Sequence, residues 1–528
     1  MKRKRIIDVC VYVYTLIFIL YSFAGRILPF SLFIGDKINS IVYVFLAGFG
    51  CLLVISDILT ERVCICSKYF WILCMFIATM ALSSIVNIEM GYVDNVKTII
   101  WTTIQIAIFY SLYLRRNKEE SLYLIRWLFI IICALWTVMI IFALIQYIAQ
   151  DMYIYDLAGI GFKYQGFYGG RLFGIFNDPN YAAVTSSYVF FMLLFIYSKS
   201  QKKWYVKTLL LIVEILHVLY IFLSGSRTAI IAICCGLFIY LFLKLKTKYI
   251  NKKFVVLRAC IGATVVVMFG FIAGKTMTQA TTVFTEIYAR ECPVAVNRAK
   301  RDNILKIMLR GREDVIIYGE ESILQSERKN QIEQNENTIA ETTELEESTE
   351  TAESTGTSEI TDEPPTVIEE ERSNILERED VQGGNLSNNR LTIWKEYLQG
   401  MKGRYLIGTS PRNVMAYLEK TGTAKFVLER QYETHNGYLS AFVGCGIIGC
   451  IPIVLFAILM CIRIIKYCFS NKKIDNDFAV LFAIIVIILV YTFFFTELFF
   501  VNNLTTVLFW TILGSLWYWL DAENKISK

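Results

Sequence analysis

The sequence predicts an all-α membrane protein of about twelve transmembrane helices with a long, partly disordered external loop. Three observations carry this expectation. Fifty-five per cent of the residues are hydrophobic and the mean hydropathy is +0.50. Apolar runs of about twenty residues recur, each long enough to cross a ~30 Å hydrocarbon core as a helix. The stretch from 274 to 434 breaks that pattern. Its middle, including ETTELEESTETAESTGTSEITDEPP, is rich in Glu, Thr and Ser and nearly free of aromatics. Such a segment cannot bury enough apolar surface to offset the entropy of ordering it, and residues 320–385 are predicted to be disordered.

In chain order the expected spans lie near 6–24, 38–56, 70–88, 98–114, 122–149, 180–198, 206–223, 227–243, 254–273, 436–462, 478–496 and 503–520. The leading MKRKR and its apolar run could pass for a signal peptide, but the many spans that follow favour a retained first helix. Lys and Arg cluster in alternate loops: RRNK at 115–118, KSQKK at 199–203, KLKTKYINKK at 244–253, and the group Arg463, Lys466, Lys472 and Lys473. Basic residues are about four times as frequent in these loops as in the short loops between them, which puts both termini in the cytoplasm. The organisation that follows is a nine-span region over 1–273, an extracytoplasmic loop over 274–434 and a three-span region over 435–528.

The formal charge of +6 is small for 528 residues and falls in those topogenic clusters, which excludes a nucleic-acid footprint. Most of the 14 cysteines lie inside apolar runs and behave as small hydrophobes. Cys64 and Cys66 have no second pair or nearby histidine, so no metal site is expected there.

On the outward side three helix starts carry cations. GGRLFGIFNDPNYAA places Arg171 before Asp178, a candidate N-cap with Pro179 in the first turn. LSGSRTAII places Ser226 as a cap and Arg227 at the first helical position. ETHNGYL places His435, one of only 2 histidines, beside the candidate cap Asn436. NNRLTIWKEYLQGM adds Arg390 behind the candidate cap Asn389. Its Ile393, Trp394, Tyr397, Leu398 and Met401 stand at helical spacing, suiting a helix that lies on the membrane or covers a cavity. Helix N-termini beside cations favour an anion.

The motifs RLFGIFNDPN (171–180), SGSRTAI (224–230), RLTIW (390–394), IGTSPRN (407–413) and HNGYLSAFVGCGIIG (435–449) resemble, as an ordered set, the O-antigen ligase and O-antigen polymerase superfamily. Its members are bacterial glycosyltransferases of the cytoplasmic membrane. Two departures are visible: the acidic insertion is long for that family, and GTSPRN lacks the second glycine of a GxG-like turn. The resemblance implies a polyprenyl-pyrophosphate-linked oligosaccharide donor, a glycan, lipid or protein acceptor, and a site on the outer face. A flippase, a chain-length regulator and membrane lipids are the partners it implies, with no cofactor. Guanidinium forks neutralise a departing pyrophosphate without a metal. Arg171, Arg227 and Arg390 are the expected clamp, and His435 the base that takes the acceptor proton. Arg412 and Glu497 are accessory candidates. Polymerase is slightly favoured over ligase. A transporter or flippase using Glu214 and His217, three apart on the seventh span, is the competing class.

Overall fold

The computed structural model describes residues 2–149, 151–157, 161–168, 171–199, 203–248, 261–262, 315–318, 389–470 and 473–521. Among the described residues, eight helices are long and apolar enough to cross a membrane. They lie in α1 (Lys2–Ala24), α2 (Leu28–Thr60), α5 (Lys118–Ile148), α6 (Pro179–Lys199), α7 (Trp204–Leu223), α8 (Arg227–Lys248), α12 (Gly437–Ser470) and α13 (Asn476–Phe494). Two of the expected spans are shorter apolar helices: α3 (Phe70–Val86), and α14 (Leu504–Ser515) running into α15 (Trp517–Leu520). The span expected over 98–114 is a composite. The helix α4 (Val93–Ile104) passes into a π turn over Gln105–Phe109 and a 3-10 segment over Tyr110–Arg115. The expected span 254–273 and the acidic segment 320–385 lie outside the described residues.

Capping explains several boundaries. The side chain of Asn117 accepts from the Glu120 N–H to start α5, Asp475 accepts from Asp477 to start α13, and Asn503 accepts from Thr506 to start α14. Helices α6 and α13 are buried on most faces. Small residues on α6 such as Ala182, Ala183, Ser186 and Ser187 let neighbouring backbones close in. A Cβ on Gly236 of α8 would stand 2.7 Å from Ile487 of α13, so glycine sets that approach. At the far end of the bundle Arg115 is buried between two carboxylates, 2.9 Å from Asp8 and 3.0 Å from Asp57. The charge on Arg115 keeps those two carboxylates from facing each other unpaired.

The all-α expectation needs one correction. A four-stranded antiparallel sheet, in the order β3-β2-β1-β4, is built from β1 (Met152–Leu157), β2 (Gly161–Tyr168), β3 (Arg171–Gly174) and β4 (Val315–Tyr318). The sequence signal was there: MYIYDL and GFKYQGFY are short and rich in aromatics, and the second alternates aromatic and polar positions over Phe162–Gln165.

Helices α9 (Arg390–Gly400), α10 (Val414–Thr421) and α11 (Lys425–Arg430) form a small layer at the start of α12. The apolar side of α9, Ile393, Tyr397 and Met401, is buried against Leu418, Val427 and Val443. That stripe therefore faces protein. Helix α12 is broken at Gly446 (φ 64, ψ −169). The backbone groups released by the break are taken by the 405–409 turn: Ile447 N–H donates to Tyr405 O (2.8 Å), Ile448 to Leu406 O (3.1 Å), and Thr409 to Val443 O (3.0 Å). The GCGIIG and IGTSPRN motifs thus explain each other. Broken helices at membrane depth need such internal partners. Ser83 Oγ on α3 adds a bond to Gly444 O at 2.9 Å.

A Cβ on Gly446 would stand 2.4 Å from the Leu406 carbonyl carbon, on a left-handed backbone. Gly446→Ala is therefore expected to destabilise the protein by about 2 kcal/mol or more. Thermal unfolding in detergent checks this, and an unchanged midpoint would contradict the account of the break.

Candidate functional site

The first motif is positioned from both ends. Asn177 N–H donates to Arg26 O (3.1 Å), its Nδ2 donates to Gly25 O (3.0 Å), and Leu28 N–H donates to Ile175 O (2.8 Å). The chain after β3 is thereby fastened to the α1–α2 turn. Asp178 then opens α6 as the sequence predicts, its Oδ1 accepting from Asn180 N–H at 2.8 Å and from Asn180 Nδ2 at 3.1 Å. Arg171 donates through Nη2 to Asn180 Oδ1 (2.8 Å) and through Nε to Ser224 O (3.0 Å). One guanidinium thus joins the first motif to the second. Ser226 caps α8 by accepting from Ala229 N–H at 3.3 Å, which leaves Arg227 as the first helical residue.

Arg390 opens α9 with its guanidinium carbon 5.3 Å from the ring centre of Phe495 and 5.7 Å from that of Phe494. Asn389 differs from expectation: it makes no side-chain cap hydrogen bond and takes a left-handed φ of 59°. Asparagine suits that backbone better than most residues, so its role is conformational. His435 is also left-handed, at φ 45°. Its ring lies 6.1 Å from Tyr432 and 6.3 Å from Phe495. Asn436 caps α12, accepting from Tyr438 and Leu439 N–H at 3.0 Å each. The segment is clasped on two sides. Trp394 Nε1 donates to Thr434 O (2.9 Å), Gly437 N–H donates to Phe495 O (3.0 Å), and Thr496 Oγ1 donates to Glu433 Oε2 (2.7 Å).

These groups feel one another. Burial lowers the Arg390 pKa and the adjacent Arg227 charge lowers it further, while Asp178 acts the other way. Burial likewise lowers His435 below its usual value, Arg390 adds to this, and Glu433 and Asp178 oppose it. Burial and the Arg390 charge thus favour the neutral imidazole, which has a proton-accepting nitrogen. Arg227, Arg390 and His435 lie within electrostatic reach of one another or of Asp178, and Arg171 is tied to the starts of α6 and α8 through Asn180 and Ser224.

The sequence reading passed over Arg26. It ends the first span in FAGRILP, at the same edge as Arg171, and that position was the available signal. Glu497, one of the accessory candidates, is its partner: Arg26 Nη2 donates to Glu497 Oε1 at 3.3 Å and Oε2 at 3.2 Å. Asn503 Nδ2 also donates to Glu497 Oε2. The Arg26 guanidinium lies 4.0 Å above the Tyr181 ring. Burial pushes the Glu497 pKa up and Arg26 counters part of that rise.

Arg412 is engaged elsewhere. Its backbone N–H donates to Asn95 Oδ1 (2.9 Å), Nε to Thr98 Oγ1 (3.2 Å) and Nη2 to Phe500 O (2.8 Å). It pins the 407–413 turn to α4 and to the 495–503 loop. Arg412→Ala is expected to lower stability by about 1–3 kcal/mol and to leave turnover per folded molecule within about twofold. Melting and initial-rate measurements on one preparation check both parts. His217 is fully buried and its Nε2 lies 3.1 Å from Thr137 Oγ1 on α5, so its hydrogen-bond partner is Thr137 and not Glu214. Among the described residues no three His, Cys, Asp or Glu side chains gather as a metal group.

Residues 212–454 match the family model described as O-Antigen ligase. No curated protein and no solved structure matches the chain.

Proposed function

We propose, from the match of residues 212–454 to the O-Antigen ligase family model, that this chain is a membrane glycosyltransferase of the O-antigen ligase/polymerase superfamily drawing on a polyprenyl-pyrophosphate-linked glycan. One observation supports the reading: the Arg227 and Arg390 guanidinium groups act on each other and Arg390 on the His435 imidazole, beside helix starts that Arg171 links through Asn180 and Ser224. Arg171, Arg227 and Arg390 hold the pyrophosphate, and the helix ends add backbone N–H groups and positive dipole. His435 accepts the proton of an acceptor hydroxyl while the hydroxyl oxygen bonds to the anomeric carbon. The bond from that carbon to the phosphate oxygen breaks, and the arginines stabilise the charge that develops on the leaving pyrophosphate. These steps need only residues of this chain, and activity in EDTA tests that.

The distribution of Lys and Arg supports a site on the outer face of a bacterial cytoplasmic membrane with both termini inside. Polymerisation of repeat units is the reading we favour; transfer of a finished chain to a lipid or protein acceptor uses the same donor chemistry. A flippase that delivers the donor and a chain-length regulator fit the polymerase reading. Deleting the gene and analysing surface glycans separates the two. Loss of a polymerase leaves single repeat units, whereas loss of a ligase leaves long chains on the carrier. Transport would instead require Glu214 and His217 and tolerate loss of His435, and that outcome would remove the transferase reading.

A further inference from the structure

The cationic groups do not account for a second polar cluster next to them, termed the floor. Arg26, Glu497, Tyr491 and Asp178 gather there, and their composition differs from that of the clamp. Arg26 and Glu497 form a largely buried pair, with side chains 28% and 12% exposed. Arg26 bonds Glu497 through Nη2 alone, and among the described residues its Nε and Nη1 make no hydrogen bond. The Tyr491 side chain is fully buried, and its hydroxyl has no hydrogen-bond partner among the described residues. A buried hydroxyl left in that state is costly and points to a missing ligand group.

Continuity with the cationic cluster is geometric. The Tyr491 ring packs 4.9 Å from Phe495, whose other contacts include Arg390 at 5.3 Å and His435 at 6.3 Å. Tyr491 and Asp178 act electrostatically both on Arg390 and on Arg26. A second pyrophosphate-binding surface is the wrong description of this floor. Two carboxylates, Glu497 and Asp178, face one guanidinium, and that balance repels an anion. What suits it is a neutral ligand rich in hydroxyls, able to donate to carboxylates and to accept from a guanidinium and a phenol.

We propose that Arg26, Glu497, Tyr491 and Asp178 form a subsite for sugar hydroxyls, which seats the reacting sugar beside the pyrophosphate held by Arg171, Arg227 and Arg390. This rests on the transferase reading and adds which part of the donor is recognised where. The donor is then read in two halves: charge by the clamp arginines, and ring hydroxyls by the floor.

The test uses the full chain in nanodiscs with two probes. One is bare undecaprenyl pyrophosphate. The other is the lipid-linked glycan that accumulates when the gene is deleted. Tyr491→Phe keeps the ring and removes one oxygen, and Glu497→Gln keeps the shape and removes one charge. Each is expected to weaken binding of the glycan-bearing lipid about tenfold while leaving the bare lipid within about twofold. Arg390→Ala is expected to weaken both. Equal loss for the two lipids on Tyr491→Phe, or no loss for either, overturns the subsite. If neither lipid binds the unmodified protein, the donor assignment fails, and the subsite with it. Should Glu497→Gln not fold, Tyr491→Phe alone decides, with its melting temperature as the control.

Discussion

Replacing His435 with alanine is expected to lower glycan transfer by about 10²- to 10⁴-fold, the usual span for a positioned general base. The loss should appear in kcat more than in donor affinity, because the imidazole meets the acceptor proton and not the pyrophosphate. The pH profile gives a sharper signature. Burial and the nearby Arg390 charge both lower the His435 pKa, so the base is already free at neutral pH. Transfer should therefore be flat from about pH 7 to 8 and fall only as acid protonates the ring, below the ordinary histidine value of about 6.5. His435→Ala should remove that acid limb as well as most of the rate. His435→Gln is the useful companion, since it restores a hydrogen-bonding side chain at this left-handed position without a titrating group. A limb that persists in either variant would assign the base elsewhere.

Arg390→Ala should be the most damaging change in the clamp, by about 10²- to 10³-fold in kcat/KM. Its guanidinium lies partly buried against Phe494 and Phe495 and is repelled by Arg227. Two like charges held close are unfavourable until an anion arrives, so the pair is prepared for pyrophosphate. Two consequences separate this from a structural role. In the absence of donor, Arg390→Ala should cost no more than about 1 kcal/mol of stability, because relief of repulsion offsets the lost ring contacts. Arg390→Lys should recover only part of the activity, because a point charge replaces a fork. A large drop in melting temperature with unchanged kcat/KM would contradict the assignment.

Much of this architecture was legible because membrane spans announce themselves by composition. The caps Asp178, Ser226 and Asn436 were legible too, since a short polar side chain before an apolar run has few other uses. The cationic cluster could be assembled in sequence because each arginine sits at a helix start or strand start on one side of the alternating basic loops. What stayed hidden depends on partners distant in the chain. Arg26 and Glu497 are separated by 471 positions, and nothing local to either marks the pair. The break at Gly446 is invisible without the 405–409 turn that satisfies it. The sheet was passed over because its strands fell between spans, where a loop was assumed. Asn389 shows the converse error. A cap residue type at a helix start was read as a side-chain acceptor when the backbone conformation was what required it.

The proposal that Arg171, Arg227, Arg390 and His435 serve one donor is most directly tested by a cryo-EM map of the full chain bound to a non-transferable polyprenyl-pyrophosphate glycan. The expected density puts the pyrophosphate within hydrogen-bond reach of all three guanidinium groups, with the anomeric carbon on the side facing His435. A headgroup bound away from these residues, or an imidazole turned from the anomeric carbon, would contradict it.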